Sequence, residues 1–328
     1  MQTLVDRFMR VINYLRISVT DRCNLRCKYC MTVKGIKLLP QKDILTYEEI
    51  LRIIRITLQL GVYRFRITGG EPLLRDGIVG FLERAVKTAQ EYGCTACEFT
   101  LTTNGVLLEK MAQEVYDAGI RRINVSLDTL CYERFIKING RNELVRVVRG
   151  IKKAVKIGFS PVKVNVVIMR GFNEDEIDDF IKFAIKQKVI VRFIEQMPFG
   201  YFERPKFTDH SADYVALNKI EDEMVKKYNL KLTETPGAGP GRHYGFTGFI
   251  PARSRPFCSE CNRLRLTSNG KLRLCLGFPY EIDLRTQMRS GATDEQLKEI
   301  FVEAISNKPE KHEFEKKMEK ECMAQIGG

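Results

Sequence analysis

The chain has 328 residues, 44% hydrophobic and 29% charged, with 54 Lys and Arg against 41 Asp and Glu for a formal net charge of +13. That composition excludes a disordered or collagen-like chain, and at ~150 residues per domain the length predicts two domains or one large α/β domain with an extension. No charge-free run exceeds ten residues, Phe99 to Leu108 being one, which is well short of the ~20 apolar residues of a membrane-spanning helix.

The opening MQTLVDRFMR lacks the apolar stretch of a secretion signal, so a cytoplasmic protein with no membrane partner is expected. In chain order, Tyr14 to Val19 reads as a short strand running into a cysteine cluster. A helix follows at about Tyr47 to Leu60: Thr46 can cap it with Glu49 completing a capping box, and Ile50, Leu51, Ile53, Ile54 and Leu58 form one apolar face. Strand-like runs at Arg64 to Thr68, Cys97 to Thr102, Arg122 to Leu127, Val162 to Met169 and Ile190 to Glu195 then alternate with helical patterns. Those patterns lie near Ile78 to Glu91, Leu107 to Ala118, Glu143 to Ile157 and Glu174 to Lys186. Six strands alternating with helices predict parallel strands with right-handed crossovers, as an open doubly wound sheet or an incomplete (β/α) barrel.

Both architectures place ligands at the strands' carboxyl ends. Thr68-Gly69-Gly70-Glu71-Pro72, Thr102-Thr103-Asn104-Gly105, Ser126-Leu127-Asp128 and Gln196-Met197-Pro198 all fall there, with the first cysteine loop, so one rim is expected to collect the chemistry. The pattern holds to about Gly200, giving a first unit over residues 1–200. Beyond it Pro236, Gly237, Gly239, Pro240 and Gly241 mark a looser second unit over 201–328. Its last helix lies around Asp294 to Ile305, and a charged, solvated tail ends in Gly327-Gly328. The positive charge draws anions such as nucleotides or nucleic acid, without choosing between them.

Ten cysteines in such a chain point to metal or catalysis rather than a disulfide framework. Cys23, Cys27 and Cys30 form one triplet and Cys258, Cys261 and Cys275 a second; Cys94, Cys97, Cys131 and Cys322 are expected to be buried thiols. Three thiolates in a C-x3-C-x2-C loop can wrap the corner of an iron-sulfur cubane. The fourth iron then stays open to an exogenous molecule, the mark of a catalytic metal centre. Zinc and simple thiols are the competing readings, although zinc favours four protein ligands and His210, His243 and His312 adjoin neither triplet. Gly69 and Gly70 let backbone approach a ligand, and Glu71 offers a carboxylate to an ammonium group.

SVTDRCNLRCKYC (Ser18 to Cys30) followed by RITGGEPLLR (Arg66 to Arg75) resembles the radical S-adenosylmethionine superfamily. LTTNG (Leu101 to Gly105), INVSLD (Ile123 to Asp128) and FCSECNRLRLTSNGKL (Phe257 to Leu272), with the Cys258-x2-Cys261-x13-Cys275 spacing, are similar to one branch of it. That branch acts on GTP at the first step of molybdenum cofactor biosynthesis, and the resemblance spans residues 12–328. It implies an incomplete (β/α)6 TIM-like barrel with a C-terminal α+β extension, and two 4Fe-4S clusters whose open irons face one cavity across the barrel mouth.

At the first cluster S-adenosylmethionine would bind the open iron, with Gly69, Gly70 and Glu71 taking its amino group and Tyr29, Ser126 and Met197 completing the pocket. The Cys258, Cys261 and Cys275 cluster would bind guanine. The implied GTP contacts are Arg16, Arg66, Thr102, Lys163, Arg263, Leu264 and Arg265, with Arg263 and Arg265 closest to catalysis. Guanidinium forks suit a triphosphate of about four negative charges. Arg192 is a further candidate.

By the same resemblance, one electron would cleave S-adenosylmethionine to a 5′-deoxyadenosyl radical that takes hydrogen from C3′; attack on C8 would give (8S)-3′,8-cyclo-7,8-dihydroguanosine 5′-triphosphate. The implied partners are an electron donor and a downstream cyclic pyranopterin monophosphate synthase, with no DNA or RNA and a homodimer left open. The Gly327-Gly328 tail is expected to enter the site, and Met31-Thr32 departs from the family's usual proline. Two other readings compete. A peptide-modifying maturase would carry more cysteines in its extension. A basic zinc-containing nucleic-acid module accounts for the charge but not for the Gly-Gly-Glu-Pro rim.

Overall fold

The computed structural model describes residues 3–31, 35–198, 214–234, 240–314 and 323–327. The expectations for Thr32, Gly200, His210, Pro236, Gly237, Gly239, Cys322 and Gly328 concern residues outside that set.

The alternation of apolar and polar residues builds the sheet. In β1 (Tyr14–Ser18) Leu15 and Ile17 join the main core, whereas Tyr14 and Arg16 face the interior cavity. The same division recurs through β2 (Arg64–Thr68), β3 (Glu98–Thr103), β4 (Arg122–Ser126), β5 (Val162–Ile168) and β6 (Ile190–Glu195). These strands pair in parallel and in chain order. Between them run α1 (Tyr47–Gln59), α2 (Ile78–Glu91), α3 (Leu108–Asp117), α4 (Tyr132–Asn139), α5 (Leu144–Ile157) and α6 (Ile177–Gln187). The Thr46–Glu49 capping box starts α1: Glu49 N–H donates to Thr46 Oγ1 at 3.1 Å and Thr46 N–H to Glu49 Oε2 at 2.7 Å.

The C-terminal region adds α7 (Leu217–Tyr228), β7 (Arg242–Tyr244), β8 (Thr247–Ile250), β9 (Arg263–Leu266), β10 (Lys271–Arg273), β11 (Glu281–Asp283), α8 (Leu284–Arg289), α9 (Asp294–Ser306) and α10 (Met323–Ile326). Its strands extend both edges of the first six. β9 pairs in parallel with β1, and β8 with β6, so the order is β11-β10-β9-β1-β2-β3-β4-β5-β6-β8-β7. Among the described residues one sheet of eleven strands thus curves as a partial barrel with the helices outside. Among the described residues no helix is long and apolar enough to cross a membrane.

Three cysteines depart from expectation. Cys94 and Cys97 are not buried thiols: the turn between α2 and β3 brings their Cα atoms to 5.3 Å, within disulfide reach, and they are bonded. Cys131 is half-buried and its Sγ donates to the Glu133 carboxylate at 3.1 Å.

Candidate active site

All six cysteines of the two triplets line one cavity of about 310 Å³ inside the curved sheet. They do not share a rim. The first triplet follows the carboxyl end of β1. Cys261 stands just before β9, whose first residue, Arg263, pairs with Tyr14 at the opposite end of β1; Cys275 follows β10, which returns antiparallel to that same end. The parallel β9–β1 pairing therefore sets the triplets at opposite ends of the strands, with the cavity running between them.

At the carboxyl end, the Gly69-Gly70 turn packs on the backbone of the cysteine loop. A Cβ on Gly69 would meet Thr20 O at 2.7 Å and one on Gly70 would meet Arg22 O at 2.3 Å. Gly70 N–H donates to Thr20 O and Glu71 N–H to Arg22 O. The glycines are needed by the chain's own close approach, not solely by a ligand's. Glu71 turns away from the cavity: its carboxylate accepts from Leu73 N–H at 3.1 Å, Thr103 Oγ1–H at 2.8 Å and Asn104 N–H at 2.6 Å. Burial raises its pKa to about 7 despite these donors. Gly69 and Gly70 stand in the cavity wall, and Glu71 is not among its lining residues.

Tyr29, Ser126 and Met197 do line the cavity. Tyr29 donates its hydroxyl to Asp128 Oδ2 at 2.7 Å. Burial raises the Asp128 carboxyl to about 6, and burial with the Asp128 charge pushes the Tyr29 hydroxyl well up. Cys23 Sγ receives Leu25 N–H at 3.4 Å and Asn104 Nδ2–H at 3.7 Å, while Cys27 Sγ–H donates to Asn139 Oδ1 at 3.0 Å.

Cations dominate the middle of the cavity. Arg16, Arg66, Arg192, Arg263 and Arg265 line it with Thr102 and Asn165, and Asp128 is the one acidic side chain among its described lining residues. Burial, then neighbouring charge, lowers Arg16 well below its usual value, Arg192 to about 9 and Arg265 to about 10. Guanidiniums stay charged, so these shifts record first the cost of burying the charges and then their mutual repulsion, which a polyanion would offset. Asn165 and Asn124 aim Arg192, accepting from Nη2–H at 2.6 and 2.7 Å.

Arg265 Nη1–H donates to Gly327 O at 2.8 Å, and α10 brings Met323 and Ala324 to the cavity wall. Two expected GTP contacts stand apart. Lys163 is buried at the amino end of β5 outside the cavity lining, and burial and Arg192 lower it to about 7. Strand alternation turns the Leu264 side chain into the main core, which leaves only its backbone to a ligand.

The second triplet has supports that sequence reasoning missed. Lys308, buried just beyond α9, donates Nζ–H to Arg263 O at 2.9 Å and to Leu274 O, joining the two strands that flank Cys261 and Cys275. Arg10 donates to Cys258 O at 2.8 Å and to Asp6 Oδ2 at 2.6 Å. Burial alone would raise the Cys261 thiol, yet the Lys308 and Arg263 charges outweigh it and bring the pKa below the ordinary value. His312, remote in sequence, stacks on Phe314 at 4.0 Å in the same wall. No motif marks Lys308 or Arg10; each is one cation in a charged stretch.

The donor set fits iron-sulfur clusters. None of the six cysteines is in a disulfide. Among the described residues no three His, Cys, Asp or Glu side chains converge on a single ion position. Three thiolates per group suit a cubane, which takes one thiolate per iron, whereas a structural zinc ion takes four protein ligands.

A sequence model of the radical SAM superfamily matches residues 17–184, and one for Molybdenum Cofactor Synthesis C matches residues 189–314. The fold agrees: SuiB of Streptococcus suis, solved bound to S-adenosylmethionine, superposes with a TM-score of 0.57 at 19% identity, over 84% of this chain and 64% of that one. A parallel partial barrel with a C-x3-C-x2-C loop after its first strand defines this protein as a radical S-adenosylmethionine enzyme.

Two relatives narrow the class. The GTP 3′,8-cyclase of Heliobacterium modesticaldum is 45% identical over 318 residues, 94% of each chain. That of Moorella thermoacetica is 42% identical over 332 residues, 98% of this chain and 99% of its own. The chain belongs to the GTP 3′,8-cyclase family.

Proposed function

We propose that this protein converts GTP to (8S)-3′,8-cyclo-7,8-dihydroguanosine 5′-triphosphate, the first step of molybdenum cofactor biosynthesis. The observation that carries the reading is one 310 Å³ cavity lined by both cysteine triplets and five arginines. Cys23, Cys27 and Cys30 would hold the cluster that binds S-adenosylmethionine, and Cys258, Cys261 and Cys275 a second 4Fe-4S cluster that binds guanine. When bound, the first cluster supplies one electron to cleave S-adenosylmethionine into the radical that abstracts hydrogen.

The chain's own work is placement. The Gly69-Gly70 backbone, Ser126 and Met197 position the cofactor at the carboxyl end. Arg16, Arg66, Arg263 and Arg265 grip the triphosphate from strands facing one space, where a buried guanidinium acts more strongly than in water. Residues 1–200 thereby serve the cofactor and, through Arg16 and Arg66, share the triphosphate with residues 201–328, which also serve the base. An electron donor and a downstream pyranopterin-forming synthase would complete the sequence.

The test is anaerobic reconstitution followed by incubation with GTP, S-adenosylmethionine and dithionite. About eight irons per chain and 5′-deoxyadenosine formed only with GTP present are the expected results. Cleavage independent of GTP refutes the reading.

A further inference from the structure

The reading above requires one electron per turnover from outside the protein, so a surface close to the first cysteine triplet has a task. Among the described residues one such surface belongs to α4. This helix lies outside the alternation of one helix per strand, inserted between β4 and α5. Its last turn is bonded to the cysteine loop: Arg26 N–H donates to Asn139 O at 2.8 Å and Lys28 N–H to Ile138 O at 3.0 Å. Asn139 is buried, and its Oδ1 touches Cys27 Sγ at 3.0 Å. The next residues, Gly140 and Arg141, are exposed. The Asn139 side chain thus joins the Cys27 sulfur to a turn whose next two residues are exposed. Gly140 makes this closeness feasible, ending α4 at φ +73°, where a Cβ would also meet Arg26 Cβ at 3.0 Å.

α4, the turn after it and α5 expose both apolar and basic side chains. Tyr132, Ile136 and Val145 are 43, 38 and 54% exposed. Lys137, Arg141 and Arg149 are exposed as well, on α4, the following turn and α5. The nearby carboxylates are engaged within the chain, Glu133 by Cys131 and Glu143 by Arg146 at 3.3 Å. Electron-transfer encounters use small interfaces, under roughly 1,200 Å², and complementary charge raises their association rate by about 10 to 1,000-fold.

We propose that this face docks an acidic one-electron carrier protein and that the electron enters by way of Asn139 and Cys27. One electron leaves the reduced carrier, which is oxidised by one electron, and reduces the cluster held by Cys23, Cys27 and Cys30; no bond is made or broken. The inference rests on the radical S-adenosylmethionine reading but not on the identity of the substrate.

The probe is purified flavodoxin with the reconstituted holoenzyme. Calorimetry at low salt should show binding that weakens as salt rises. The double variant Lys137→Glu/Arg141→Glu should bind about tenfold or more weakly and its cluster should be reduced correspondingly slowly by reduced flavodoxin, with dithionite reduction unchanged. Lys137→Gln/Arg141→Gln should show part of the loss, and Lys87→Glu, exposed on α2, none. Unchanged affinity in the charge-reversed variant, an equal loss in Lys87→Glu, or no binding at low salt overturns the proposal. Intact flavodoxin binding without GTP-dependent 5′-deoxyadenosine formation refutes the cyclase reading and leaves this surface standing.

Discussion

At the scale of single residues, Lys163 and Lys308 show how differently buried lysines behave. Lys308 is held by two carbonyls, and Lys308→Met leaves both without a donor, at about 1–3 kcal/mol each. Its charge also favours the Cys261 thiolate. The variant is expected to keep the first cluster and lose the second, so that bound iron falls from about eight to about four per chain; full iron content would sink the assignment. Lys163, lowered to about 7 by burial and by Arg192, Arg122 and Arg66, is partly neutral at physiological pH. A triphosphate held against Arg66 and Arg192 in the cavity would offset two of the charges that lower Lys163, and so raise it without touching it. GTP binding should therefore take up protons above about pH 7, and affinity should be greatest below that pH and decline as pH rises toward the bound-state value. Calorimetry in buffers of different ionisation enthalpy measures the uptake, and Lys163→Met should abolish it.

At the scale of elements, the Gly-Gly turn and the cysteine loop form one unit. In Gly70→Ala the new Cβ meets Arg22 O at 2.3 Å, a clash of backbone with side chain that costs about 1–3 kcal/mol. The loop must shift, and the first cluster should be lost while the second remains, which iron analysis and electron paramagnetic resonance would separate. The six central strands and most of their helices were legible because apolar alternation and capping residues extend over enough positions to give a period. α4 was not. Its eight residues break the strand–helix rhythm, and its start at Cys131 has no capping side chain. The strands β7, β10 and β11 have three residues each, too few to show alternation. Within the site, the cysteines and arginines could be found from spacing and resemblance. The turn of Glu71 away from the cavity could not, because it depends on Thr103 at the end of the next strand and Asn104 just after it.

At the scale of the molecule, residues beyond 200 complete the sheet on both sides. A chain ending at residue 198 leaves the β1 and β6 edges open where β9 and β8 had paired. It also strips cover from the arginine-lined interior. Such edges template association, so the fragment should run as aggregate in size-exclusion chromatography, and a monomer with cooperative unfolding would refute this. Sequence composition suggested a boundary near 200 because proline and glycine rise there; the pairing across it depends on contacts between positions some 250 residues apart, such as Tyr14 and Arg263, which no local pattern records.

The placement of the two cysteine groups at opposite strand ends makes the barrel a gauge. β1 spans five residues, about 17 Å at ~3.3 Å each. Two molecules held from opposite ends, the cofactor at one cysteine group and the base at the other, would meet only where their combined reach fills that length, and a base shortened by a ring would leave a gap between them.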